Sequence, residues 1–106
     1  MAWFWLIVAG LLEIVWAVTL KRTEGFTKPG PSLLTLAAMV ASFYLLSQTL
    51  KTLPTGTAYA VWVGIGAAGT ALFGILFLDE PRTAFRLVSL ALILLGVIGL
   101  RMAEGR

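Results

Sequence analysis

The sequence has 106 residues, of which 59% are hydrophobic and only 12% charged, against about 25% charged in an average soluble domain. A soluble domain this small cannot hide so much apolar surface in one core, so the composition excludes an ordinary water-soluble fold and fits a chain dissolved in a bilayer. The absence of cysteine excludes thiol and disulfide chemistry, the absence of histidine removes the commonest metal ligand, and the net charge of +3 lies at segment ends, where it suits lipid headgroups better than nucleic acid.

A membrane span needs about 20 apolar residues, and the chain offers four such runs in order. The first extends from Ala2 to Leu20 and is followed by Lys21 and Arg22. It has no basic stretch before it and no convincing cleavage site, so it reads as a retained helix and not a signal peptide. The second run covers Pro31 to Leu50, before Lys51. The third covers Thr57 to Leu78, before Asp79-Glu80-Pro81. The fourth covers Ala84 to Leu100, before Arg101. Pro29, Pro31, Pro54 and Pro81 fall at or outside these boundaries, where a helix must stop anyway. Backbone in lipid must pair within its own segment, so each run is predicted to be an α-helix. Residues 1–106 are thus read as one four-helix transmembrane domain, all-α, with no soluble domain and no long linker.

An even number of spans places both termini on one side. That side carries Lys51, Arg101 and Arg106, and the other carries Lys21, Arg22, Lys28, Arg82 and Arg86. This bias is weak under the positive-inside rule, and a chain with so little bias is able to insert both ways.

Glu13 is the ionisable residue that lies deep inside a span. Its neighbours Ala9 to Leu12 and Ile14 to Trp16 offer it no local partner. A carboxylate at that depth is costly and belongs in a bundle interior or a water-filled cavity, where it marks a substrate or proton site. The alternative is a protonated carboxyl that ties two helices together by hydrogen bonds. Trp16 lies three residues further along the same helix face, and Tyr59 and Trp62 repeat the spacing in the third span. Aromatic faces attract cations, and the hydroxyl of Tyr59 and the indole N–H of Trp62 can orient a carboxylate. In the second span Met39, Ser42, Phe43 and Leu46 share a face, with Ser42 as the polar member near mid-depth. Trp3 and Trp5 fit the interfacial belt.

Small residues recur at spacings that allow close helix approach: Ala60, Gly64 and Ala68 on one face of the third span, and Gly66, Thr70 and Gly74 on the neighbouring one. The run Gly64 to Gly69 also weakens the helix at mid-span, so Gly64 and Gly66 are hinge candidates. Gly96 and Gly99 suit a packing interface in the fourth span. No hydrolytic triad, phosphate loop or metal spacing is present, so neither an enzyme nor a cofactor is expected. Four helices are too few to enclose a pathway, and a second copy is the simplest way to build a cavity.

These residues resemble the small multidrug resistance family of proton-coupled exporters. The resemblance covers essentially the whole chain. It rests on Leu12-Glu13, on Gly25-Phe26-Thr27, on Ser42-Phe43 with Leu46 and Gln48, and on the run from Pro54 to Trp62 leading into Gly64-Ile65-Gly66. Trp16, where the broad multidrug subtype carries glycine, and the stretch Trp16 to Lys21 resemble the guanidinium-exporting subtype. The resemblance implies a multi-pass protein of a prokaryotic plasma (inner) membrane, assembled as an antiparallel, dual-topology homodimer with two copies of Glu13 in a central pocket. It also implies that Trp16, Ser42, Tyr59 and Trp62 form a hydrogen-bonded ring around the carboxylates, and that Met39 and Phe43 line an opening toward lipid.

Guanidinium is planar and presents N–H donors that match a carboxylate bidentately. Protons and the cation then compete for Glu13, and the dimer opens to one face at a time. A broad exporter of quaternary ammonium and other multidrug cations is the alternative within the family. A non-transporting subunit, or half of a lipid-transporting heterodimer, is the alternative outside that activity.

Overall fold

The computed structural model describes residues 2–104, which form four long helices joined by short turns: α1 (Ala2–Leu20), α2 (Pro29–Thr49), α3 (Thr55–Phe77) and α4 (Ala84–Glu104), with a single 3-10 turn at Lys21–Thr23 after α1. All four are long and apolar enough to cross a membrane. Arg106, counted above among the charges on the terminal side, lies outside the described residues.

α1 has the bounds expected from the sequence, and the others differ at their ends for local reasons. α2 begins at Pro29, two residues before the expected start, so Pro29 and Pro31 both lie in its first turn. The first four N–H groups of a helix have no partner within it, so proline there loses no hydrogen bond and its fixed φ favours the turn. α3 begins at Thr55, directly after Pro54, whose carbonyl accepts the Ala58 N–H at 3.0 Å. α4 continues past Leu100 to Glu104. The Arg101 guanidinium lies 5.1 Å from the centre of the Trp3 ring, so the last turn keeps its charge at the interface against an aromatic face.

The turn between α1 and α2 closes around Thr23, which is almost fully buried. Its hydroxyl donates to the Leu20 carbonyl at 2.7 Å and accepts the Phe26 N–H at 3.1 Å. Glu24, Gly25 and Phe26 all have positive φ, at 48°, 74° and 66°. Glycine takes such a conformation freely, whereas Glu24 and Phe26 adopt it against the usual steric preference.

α1 is the central helix. It packs along α2 on one side and α3 on the other, while α4 packs along α3. α1 and α3 approach through an alternation of glycine and larger side chains: Gly10 faces Ile65, Gly66 faces Glu13, and Gly69 faces Ile14. From Gly10–Ile65 through Glu13–Gly66 to Ile14–Gly69 the numbering rises along both helices together, so α1 and α3 run parallel and pack ridge into groove. Gly64 receives the Val97 side chain of α4 in the same manner. α3 is one unbroken helix through the glycine run. The core around Leu6, Ala9, Ala58, Val61 and Trp62 is small, and none of the described residues of α4 is buried. Positions 96 and 99 of α4 have no side chain of this chain near them, so the face expected to pack is an outer one. Exposure of Leu92, Leu95 and Ile98 carries no hydrophobic penalty in lipid.

Candidate functional site

Glu13 sits midway along α1 and directs its side chain at α3. Its carboxyl group rests on Gly66, where any Cβ would collide with it. The close approach needs glycine at 66 because the α1–α3 register puts a mid-membrane carboxyl at that level. The Glu13 Oε1 atom is buried and has no hydrogen-bond partner among the described residues. One turn further along α1, the Trp16 indole N–H is likewise buried and unpartnered. Leaving a buried polar group unpaired costs about 1–3 kcal/mol, so this acceptor and this donor are each costly as they stand.

Ser42 and Trp62 complete the polar side of the site. Ser42 is fully buried in α2 and donates its hydroxyl proton to the Ala9 carbonyl of α1 at 2.7 Å. The Trp62 Nε1–H of α3 donates to the Ser42 oxygen at 2.9 Å. One hydroxyl therefore ties three helices together at the level of Ala9, one turn above Glu13. A serine has a single proton to give, so while it binds the Ala9 carbonyl it cannot also donate to a carboxylate.

The four ring residues expected from the sequence are brought together, but by two kinds of contact. Hydrogen bonding joins Ser42 and Trp62. Trp16 and Tyr59 enter through their rings: Phe43 lies edge-on to Trp16 at 6.2 Å and tilted against Trp62 at 5.5 Å, and Tyr59 packs on Trp62 at 5.8 Å. Tyr59 is 57% exposed and Phe43 46% exposed, so both lie at the rim. Met39, half-buried, precedes Phe43 by one turn on α2. Gly66 is part of the floor under Glu13, and Gly64 lies on the α4 side of α3.

Sequence reasoning overlooked one contributor and gave two others only part of their place. The Ala9 carbonyl is backbone and leaves no signal in the side-chain pattern. Phe43 bridges two tryptophans, besides standing at an opening. Thr70 lines a groove of about 460 Å³ that runs between α1 and α3 from Glu13 past Ala17 and Lys21 to Glu80 and Arg86; its spacing of four from Gly66 was a legible sign.

Residues 1–93 match the family model for the Small Multidrug Resistance protein. The guanidinium exporter of Proteus vulgaris is 57% identical over 104 residues, which is 98% of this chain and all of that one. The guanidinium exporter of Yersinia pestis is 55% identical over 104 residues, with the same shares covered. That of Salmonella typhimurium is 55% identical over 103 residues, 97% of this chain and 98% of the relative. With four apolar spans and this match over nearly its whole length, the chain is a multi-pass membrane protein that belongs to the small multidrug resistance family.

Proposed function

We propose that this protein exports guanidinium, and small substituted guanidinium ions, in exchange for protons, and that it is a transporter and not an enzyme. The observation that carries the reading is the buried, unpartnered Glu13 carboxyl oxygen, supported by the names of relatives more than half identical along nearly the whole chain. Guanidinium supplies parallel N–H donors to such an acceptor, and a proton competes for the same lone pairs. A cation cannot satisfy the Trp16 N–H, which needs an acceptor. In an antiparallel homodimer the Glu13 carboxylate of a second copy would supply it, and the central pocket would then hold two carboxylates between Trp16, Ser42, Tyr59 and Trp62. In this reading, bending at Gly64 and Gly66 lets the pocket open to one side at a time.

A quaternary ammonium ion has no N–H groups and would leave Glu13 unmatched, which a site built for hydrogen bonds rejects strongly. The half-exposed Phe43 and neighbouring Met39 leave room at the rim for one alkyl tail pointing into lipid, so a headgroup with a single tail fits where a fully substituted ion does not. Transport currents in liposomes for guanidinium, a short-tailed guanidinium and tetraphenylphosphonium test this. Large currents are expected for the first two and little for the third. A strong tetraphenylphosphonium signal with negligible guanidinium current would instead favour the broad multidrug reading.

A further inference from the structure

The groove beside Glu13 continues beyond that carboxyl. Between α1 and α3 it passes Ala17, Gly66 and Thr70 and reaches a mouth formed by Lys21, Glu80 and Arg86. Gly66, Thr70 and Gly74 recur every four residues, so they lie along one side of α3 over about 12 Å of rise. The Glu13 carboxyl rests on Gly66 and the Glu80 carboxyl on Gly74, and a Cβ at either glycine would collide with the acid. Between them, the Thr70 hydroxyl is buried with no hydrogen-bond partner among the described residues. Glu80 is fixed by its own backbone, whose N–H donates to the Gly74 carbonyl at 3.1 Å.

The Glu80 carboxylate is already engaged by a guanidinium group, that of Arg86. One bond joins them, from Arg86 Nη2 to Glu80 Oε1 at 2.7 Å. The contact is single, not the bidentate fork that makes such pairs strong. The Arg86 Nε is buried without a partner among the described residues, and both side chains stay partly open to the groove. An exposed ion pair of this kind is weak and exchangeable. The acid at the mouth therefore accepts the same chemical group that the proposed substrate carries.

We infer that Glu80 is a staging site for guanidinium at the mouth of the groove, and that Arg86 is a tethered competitor which occupies it between substrate ions. This rests on the guanidinium-export reading above. An incoming guanidinium displaces the Arg86 side chain from Glu80, passes the free Thr70 hydroxyl and reaches Glu13. Lys21 at the same mouth repels cations in general, so entry favours an ion whose N–H donors match the Glu80 carboxylate.

The test is the guanidinium concentration dependence of transport by the full chain in liposomes, unaltered and as Glu80→Gln, Glu80→Asp and Arg86→Gln. Removing the staging carboxylate is expected to raise the guanidinium KM about tenfold, the loss of one charge-assisted hydrogen bond. Removing the competitor in Arg86→Gln is expected to lower KM, and Glu80→Asp to stay near the unaltered chain. The opposite directions are decisive, because an ion pair that only ties α3 to α4 would shift both variants the same way. A shared direction, or no change in Glu80→Gln, overturns the staging site while leaving guanidinium export intact. Absence of guanidinium current in the unaltered chain overturns the export reading as well. If Glu80→Gln does not fold, Arg86→Gln decides alone: a lowered KM supports the proposal, and a raised or unchanged one refutes it.

Discussion

At the residue scale, Glu13 is a polar group that the bilayer would reject without a purpose. An acidic side chain at the centre of a transmembrane helix costs about 2.5–3.5 kcal/mol on insertion scales, and none of the described residues pairs with its Oε1. Glu13→Gln keeps the volume and the acceptor but can no longer exchange a proton for a cation. Coupled guanidinium transport in liposomes is expected to fall to background, while the helical circular dichroism and elution volume in detergent stay as in the unaltered chain. Proton-coupled exchange that survives in the variant would remove Glu13 from the mechanism. Ser42 shows a different economy: one hydroxyl serves the Ala9 carbonyl and the Trp62 indole together, which fixes the aromatic side of the pocket with a single small side chain.

At the scale of the element, α3 decides how near its neighbours come. Its glycines meet Glu13 and Ile14 of α1 and Val97 of α4, so the helix is a close-packing surface on two sides. Gly66→Ala puts a methyl group where the Glu13 carboxyl lies. Overpacking of this kind costs about 1–3 kcal/mol, and the carboxyl must leave its position. The expected result is a lower melting temperature together with a raised guanidinium KM. Gly56→Ala, in the first turn of the same helix and with open space at its Cβ, is expected to keep both. A Gly66→Ala variant with unchanged KM would show that the Glu13–Gly66 contact does not set the binding geometry.

At the scale of the whole molecule, shape and charge both fit the second copy proposed above. The chain is a slab of 45 × 35 × 17 Å, and its short dimension is less than two helix diameters of about 10 Å. Among the described residues a slab that thin shows a groove open to its surroundings, and none of those in α4 is buried. In the sequence Lys51, Arg101 and Arg106 on the terminal side oppose Lys21, Arg22, Lys28, Arg82 and Arg86 on the other, three against five, which is a weak bias under the positive-inside rule. Two opposite insertions are expected to coexist in one membrane. A single cysteine added at the C-terminus should react with an impermeant thiol reagent from either side; labelling from one side only would exclude dual insertion.

The sequence by itself determined the number of spans, their type and the depth of Glu13. Bilayer thickness sets the length of an apolar run, and the lack of water in the hydrocarbon forces each run to be a helix. The end of α1 was legible because Lys21 and Arg22 follow it directly, whereas the start of α2 was not, because prolines mark a boundary and are also tolerated in a first turn. Helical periodicity showed that Gly66, Thr70 and Gly74 share a face, and the small side chains showed that something comes close. It could not say what, since the rotation and register of one helix against another are set by how side chains interlock across the interface. Only the tertiary structure decided that Glu13 lies on Gly66, that Glu80 lies on Gly74 with Arg86 beside it, that Ser42 gives its proton to a backbone carbonyl, and that α4 is left outside the core.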